Sequence, residues 1–255
     1  MRARPSETAF ALEAIVRVLP RELIIKTLRE KNKITKRACK LPPDLVAWLV
    51  IAMGIFRGLS IQNVLARIAE SLGRPVRFGP TELPHATTIA EARDRLGWQV
   101  FGSVFQKLAD LLVTQYEPAT LWHGLRVRAL DGTSFMTPDS RENDTEFGRP
   151  GVTRGGAKCG FPRLRAVLVL GVFTHVVTQV ILAPYREGEL MTATKLADEL
   201  TPGTLLLMDR LYFAYEWLAG LMSRSIPFVV RAKTGKYALT IRRARRLSDG
   251  SFALI

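Results

Sequence analysis

The apolar residues of this chain change period near residue 120, and that change limits the fold to a helical part followed by a mixed sheet. Phe10, Ile15, Val18, Leu19, Leu23, Ile24 and Leu28 recur at three- and four-residue steps and predict a helix over 8–31. Residues 32–41 read as a basic linker. Leu41-Pro42-Pro43-Asp44 opens another helix, because a first turn tolerates proline and favours an acid. Gly58-Leu59-Ser60 breaks that helix, and Ser60 is placed to cap the next one through Leu72. Residues 73–84, with Gly73, Pro75, Gly79, Pro80 and Pro84, form a loop. Thr87 or Thr88 begins a further helix, and Gly97 divides it from an amphipathic stretch through Val113. Beyond residue 120 the apolar runs are short: Arg126–Leu130, Arg165–Phe173, Val176–Leu182, Leu205–Met208 and Phe228–Arg231. Thr174-His175 marks a hairpin turn, and helical patterns cover Leu190–Leu200 and Tyr212–Ser223. Strand, hairpin, helix, strand, helix, strand predicts a mixed α/β sheet with crossover helices. The boundary is placed between residues 118 and 119.

Composition narrows the function classes. With 255 residues, 47% of them hydrophobic, the chain can bury one large core or two modest ones. The longest apolar stretch, Leu45–Phe56, falls short of the roughly 18–20 residues needed to span a bilayer. Met1–Pro5 is basic, but Glu7 and Glu13 follow and no signal-peptide pattern is present. Cys39 and Cys159 stand apart with no CxxC spacing, which argues against a zinc finger or disulfide framework and for a reducing cytoplasm. A net charge of +14 points to a polyanion, with nucleic acid the first candidate and an acidic membrane surface the second. Residues 1–40 carry 11 Lys/Arg against 4 Asp/Glu, half of the excess. A second basic stretch holds Arg231, Lys233, Lys236, Arg242, Arg243, Arg245 and Arg246 with no acid between them. Two separated basic segments suit a long phosphate backbone better than one small anion. The helical half has the make-up of a helix-turn-helix reader, and equally that of any small helical domain.

Two of the short runs end on an aspartate: Val127-Arg128-Ala129-Leu130-Asp131 and Leu205-Leu206-Leu207-Met208-Asp209. A carboxylate at the end of a buried strand is costly to desolvate without a counter-charge or a metal. If the two strands are neighbours, the pair converges on one site. Aspartate oxygens are hard ligands suited to Mg²⁺ or Mn²⁺ rather than zinc. The plainer alternative is that each simply caps the turn that follows. Asp131-Gly132-Thr133 reads as a turn directly after a strand, and residues 138–151 as an exposed polar loop. Tyr212, Phe213 and Tyr215 lie just past Asp209, where aromatics either stack on unpaired bases or belong to the core. His85, His123 and His175 have no metal spacing and read as ordinary residues.

The segments ALDGTSFMTPDSREN, EFGRPG, FPRLRAVLVLGVFTHVVTQVILAPYREGEL and PGTLLLMDRLYFAYEWL resemble the insertion-sequence-four family of bacterial DDE transposases. The helical opening, LPPDLVAWLVIAMGIFRGLSIQNVLARIAESLG, resembles that family's N-terminal domain, and the likeness covers about residues 15–255. The resemblance implies a helical DNA-binding domain over 1–118 and a ribonuclease-H-like DDE catalytic domain over 119–255. It also implies two Mg²⁺ or Mn²⁺ ions and cut-and-paste movement of a DNA element. Asp131 and Asp209 match the first and second family acids, and each would be a metal ligand. Arg149, Arg154, Lys158, Arg210, Lys233, Lys236, Arg242 and Arg243 are the cations expected on DNA. The expected partners are double-stranded DNA, as terminal inverted repeats and target, and a second copy of the chain on paired ends. The expected location is the bacterial cytoplasm, at the nucleoid.

The chain departs from the family at the third acid, a glutamate in a tyrosine–arginine–glutamate–lysine motif. No such motif follows Asp209. Glu216 comes only seven residues on and reads as a surface residue, and Tyr185-Arg186-Glu187 precedes Asp209. Glu187 and Glu189 are the alternatives within the chain for a third ligand, with turn and helix-start roles as their plainer readings. Ser248-Asp249-Gly250-Ser251 is a hairpin turn signal, and Phe252–Ile255 begins a returning strand. The expectation is a transposase shortened before its C-terminal catalytic helix, which binds element ends but cleaves weakly or not at all. The alternatives are a non-catalytic DNA-binding inhibitor of a full-length enzyme and a nuclease using Glu187 or Glu189.

Overall fold

The computed structural model describes residues 14–35, 39–72, 84–150, 160–233, 244–246, 248 and 252–254. The chain forms two compact units, Met1–Leu111 and Leu112–Ile255.

In the first unit proline placement sets the helix starts. Residues 14–18 are helical, and the single helix expected over 8–31 is broken at Pro20, which precedes the Arg21–Glu30 helix in an extended conformation. Proline lacks the N–H that a continuous helix needs and disfavours α geometry in the residue before it, so the apolar period runs on while the helix restarts. The expected residues before 14 lie outside the described ones. The Pro43–Ile55 helix has proline in its first turn and Asp44 beside it, and it buries Leu45, Val46, Ala47, Trp48, Leu49 and Ala52. Apolar residues on nearly every side make it the central helix of its unit. Ser60 Oγ accepts the Asn63 N–H at 3.3 Å and starts the Ile61–Ser71 helix. The next helix, Ala86–Leu96, ends at Gly97, whose φ of +78° favours glycine. Its N-cap is His85 rather than a threonine. Ile24, Leu28, Trp48, Leu49, Leu65, Ile68 and Ile89 form the core, and Val100 and Val104 of the Gln99–Tyr116 helix join it.

In the second unit five strands form one mixed sheet: β1 (Arg126–Met136), β2 (Arg163–Gly171), β3 (Val177–Pro184), β4 (Thr204–Met208) and β5 (Phe228–Val230). The order is β3-β2-β1-β4-β5. Strands β1, β2 and β3 pair antiparallel, while β4 pairs parallel with both β1 and β5. A parallel neighbour requires a crossover. The Glu189–Thr194 helix with the 3₁₀ turn Ala197–Glu199 leads into β4, and the Tyr215–Ser223 helix leads from β4 to β5. Leu130, Val167, Val169, Leu206 and Met208 pack with Leu196, Tyr212, Trp217 and Leu221 in one core. The helical first part and the mixed sheet with crossover helices expected from the sequence are both present. Two further strands, β6 (Ala244–Arg246) and β7 (Phe252–Leu254), pair antiparallel; of the turn expected over 248–251, residues 249–251 lie outside the described ones.

Three local expectations are corrected. Asp131-Gly132-Thr133 is not a turn, because β1 continues to Met136, paired with β2 as far as Arg163. What ends at Asp131 is burial: Leu130 is buried and Asp131 exposed. The loop expected over 138–151 contains the Arg141–Phe147 helix, capped by Ser140 Oγ accepting the Asn143 N–H at 3.2 Å and ended by Gly148 at φ +76°. Finally, the helical pattern over Leu190–Leu200 resolves into one short helix and a 3₁₀ turn.

Candidate active site

Strand register brings the two aspartates together. Leu130 pairs with Met208 in the parallel β1–β4 ladder, and Asp131 and Asp209 are the next residues along. Neighbouring strands lie about 4.8 Å apart, so the two carboxylates leave the sheet side by side. Both residues are exposed. Asp131 Oδ1 accepts the Gly132 N–H at 2.9 Å, and Asp209 Oδ1 accepts the Leu211 N–H at 2.8 Å. Asp209 thereby caps the 3₁₀ turn Arg210–Tyr212, the plainer role expected for it, with its second carboxylate oxygen left beside Asp131. Among the described residues neither carboxylate pairs with a lysine or arginine.

The pair suits a hard divalent cation, with two carboxylates held on adjacent interior strands of a rigid sheet and open to water. Those donors are incomplete as a ligand set. Among the described residues no three of His, Cys, Asp and Glu are grouped so as to hold a metal ion. Both sequence alternatives for the third ligand are occupied. Glu187 pairs with Lys195 at 2.6 Å and accepts from the Thr192 hydroxyl at 3.0 Å. The Lys195 hydrogen bond holds its carboxyl below the usual range. Glu189 pairs with Arg165 at 3.1 Å and accepts from the Tyr212 hydroxyl at 2.8 Å. Glu216 is exposed on its helix.

Tyr212, three residues past Asp209, is completely buried. Burial, the Glu189 carboxylate, and the fields of Asp131 and Asp209 raise its hydroxyl far above the ordinary range, which keeps it a neutral donor. Of the other two aromatics, Phe213 is half-buried and Tyr215 is 86% exposed. Sequence reasoning missed Arg165, Gly132 and the bond between Tyr212 and Glu189. An arginine between Leu164 and Ala166 in an apolar run was the available signal, because a charge in such a strand needs a partner.

The expected DNA-contacting cations divide. Arg210 is exposed beside Asp209, and Lys233 is half-buried beyond β5. Arg154, Lys158, Lys236, Arg242 and Arg243 lie outside the described residues. Arg149 has a structural occupation: it pairs with Asp139 at 2.5 Å and Asp144 at 3.1 Å, and donates to the Gly160 carbonyl at 2.7 Å. Its side chain is 16% exposed, so it fastens the segment after β1. Among the described residues no helix is long and apolar enough to cross a membrane.

Comparison with known proteins gives this geometry a family. Residues 10–106 match the Insertion element 4 transposase N-terminal family, and residues 122–250 match the Transposase DDE domain family. The chain is 29% identical over 193 residues to Transposase InsG for insertion sequence element IS4 of Escherichia coli (strain K12), covering 76% of this chain and 42% of that protein. InsZ of the same strain is 27% identical over 200 residues, covering 78% of this chain and 64% of InsZ. The chain thus spans less than two thirds of the length of either relative. Among solved structures, the Mos1 transposase paired-end complex with left transposon end aligns over 89% of this chain and 60% of that one, at 11% identity and a TM-score of 0.27. The Mos1 Strand Transfer Complex aligns over 76% and 78%, at 9% identity and a TM-score of 0.26. On the two family matches, the second of which alone spans half its length, the chain belongs to the insertion-sequence-four family of DDE transposases.

Proposed function

We propose that Asp131 and Asp209 are the first two metal-binding carboxylates of this transposase, and that the chain binds the DNA of element ends and target. The observation that carries the reading is their adjacency one step past the Leu130–Met208 pair of the parallel β1–β4 ladder, with no lysine or arginine of the described residues paired to either. When bound, divalent ions supply activation of a water or a 3′ hydroxyl and stabilisation of the leaving oxygen in an in-line phosphoryl displacement. Asp131 and Asp209 would hold that charge between the adjacent strands β1 and β4. Arg210 and Lys233 attract the phosphate backbone toward it, in line with the net charge of +14. Mg²⁺ or Mn²⁺ is the chemical match for two aspartate oxygens, double-stranded terminal inverted repeats the substrate, and a homodimer the form on paired ends.

The acids after Asp209 are Glu216 and Asp249, and neither stands in the family's third motif. This chain by itself therefore binds DNA and cleaves it weakly or not at all. A second reading, carried by the net charge of +14, is a non-catalytic DNA-binding chain that suppresses an intact transposase. A Mg²⁺-dependent nicking assay on a terminal inverted repeat tests the first. DNA retention with little nicking is expected. Robust nicking abolished by Asp131→Ala would show that two aspartates suffice and refute the need for a third acid. Suppression of an intact transposase that survives Asp131→Ala plus Asp209→Ala supports the second.

A further inference from the structure

The Glu189 carboxylate fills the space where a side chain at position 132 would stand. A Cβ built on Gly132 falls well inside contact distance of Glu189 Cδ, Oε1 and Oε2. The backbone of β1, one residue past Asp131, is therefore packed directly on this carboxylate. On its other side Oε1 accepts the Tyr212 hydroxyl at 2.8 Å. Tyr212 is the last residue of the turn that Asp209 caps. A single carboxylate thus joins the backbone beside Asp131 to the turn held by Asp209.

Glu189 is itself fixed. Arg165 Nη1 donates to Oε2 at 3.1 Å, and the two side chains are 14% and 17% exposed. Arg165 in turn donates through Nε to the Glu187 carbonyl at 3.0 Å, and its guanidinium lies 4.9 Å from the Tyr185 ring centroid. With one oxygen on Arg165 and the other on Tyr212, the carboxylate has both oxygens engaged before any ion arrives.

We infer that Glu189 is a positioning residue, which sets the spacing of Asp131 and Asp209 through Gly132 and Tyr212 and does not itself ligate the metal. This rests on the reading of the two aspartates as a divalent-cation site. Groups that orient metal ligands from behind typically change metal affinity about 10- to 100-fold when removed. The same range applies here because Glu189 steers both aspartates at once.

The test is Mn²⁺ affinity of the full 255-residue chain, read from the free-ion electron paramagnetic resonance signal, with circular dichroism confirming that each variant is folded at the assay temperature. Asp131→Asn removes binding. Glu189→Gln and Tyr212→Phe each weaken it about 10-fold or more, and the double variant is no weaker than Glu189→Gln alone. If Glu189→Gln abolishes binding while Tyr212→Phe leaves it unchanged, Glu189 is a ligand and the inference is overturned. Equally, unchanged affinity in both variants, with Asp131→Asn still abolishing binding, leaves the metal site standing and removes the positioning role. No effect of Asp131→Asn removes the metal reading, and the inference with it.

Discussion

Replacing Gly132 by alanine is the sharpest test of how the site is packed. Gly132 has no positive φ, so alanine meets no backbone penalty, and in a strand it ordinarily gains roughly 0.5–1 kcal/mol over glycine. Here the added methyl enters space filled by the Glu189 carboxylate. Forcing a methyl into a filled site costs about 1–3 kcal/mol. Driving Glu189 off Arg165 and Tyr212 forfeits a charge-assisted hydrogen bond worth about 1.5–3 kcal/mol. These are parts of one displacement, so a net loss of about 3 kcal/mol is expected, or a fall in Tm of about 6–12 °C. The assay is thermal unfolding by circular dichroism, run as a cycle with Glu189→Ala. In the Glu189→Ala background Gly132→Ala should cost little, since the obstructing carboxylate is gone. Gly102→Ala is the control: Gly102 lies in the Gln99–Tyr116 helix with nothing within 4 Å of its Cβ, and alanine there should stabilise by up to ~1 kcal/mol. A Gly132→Ala loss of the same size with and without Glu189 would refute the packing argument.

Other perturbations follow from the same geometry. Glu117 and Arg128 form a buried ion pair, so Glu117→Gln strands a desolvated guanidinium and should cost about 3–5 kcal/mol in a denaturant titration. Glu187 has a depressed folded-state pKa through Lys195, so its contribution is present above the unfolded pKa and lost as pH falls through the folded one. Glu187→Gln should therefore lower Tm at neutral pH and leave it nearly unchanged below the folded pKa. Arg210→Ala should weaken DNA binding and reduce the slope of log K against log salt by about 1 without moving Tm, whereas Arg149→Ala should lower Tm through loss of its Asp139 and Asp144 pairs.

Features governed by neighbouring residues were legible in the sequence. Pro43 and Asp44 start their helix, Ser60 caps the next, and Gly97 ends the one after, because each acts on backbone groups within one turn. Hydrophobic runs located the five strands but could not order them, since the β3-β2-β1-β4-β5 arrangement depends on pairing between distant segments. The same limit misplaced the end of β1. Its apolar run stops with its burial, while its hydrogen bonds to β2 carry it on to Met136. The Arg141–Phe147 helix was obscured because it buries none of its residues and so shows no apolar period, although Ser140 with Glu142 and Asp144 gave a start signal. At the site the two aspartates were readable as the carboxylates that close two apolar runs, although only Asp209 stands at the end of its strand. The Glu189 contacts were not, because Gly132, Arg165, Glu189 and Tyr212 lie on four separate elements that meet only in the fold.

Everything proposed for this site depends on Asp131 and Asp209 acting as one cation site. A crystal of the chain soaked in Mn²⁺, with anomalous diffraction collected at the manganese edge, tests it most directly. Anomalous density in contact with a carboxylate oxygen from each aspartate is expected, lost in Asp131→Asn. Saturating Mn²⁺ with no density there, or with density on other residues while the two aspartates pair with protein cations, would contradict it.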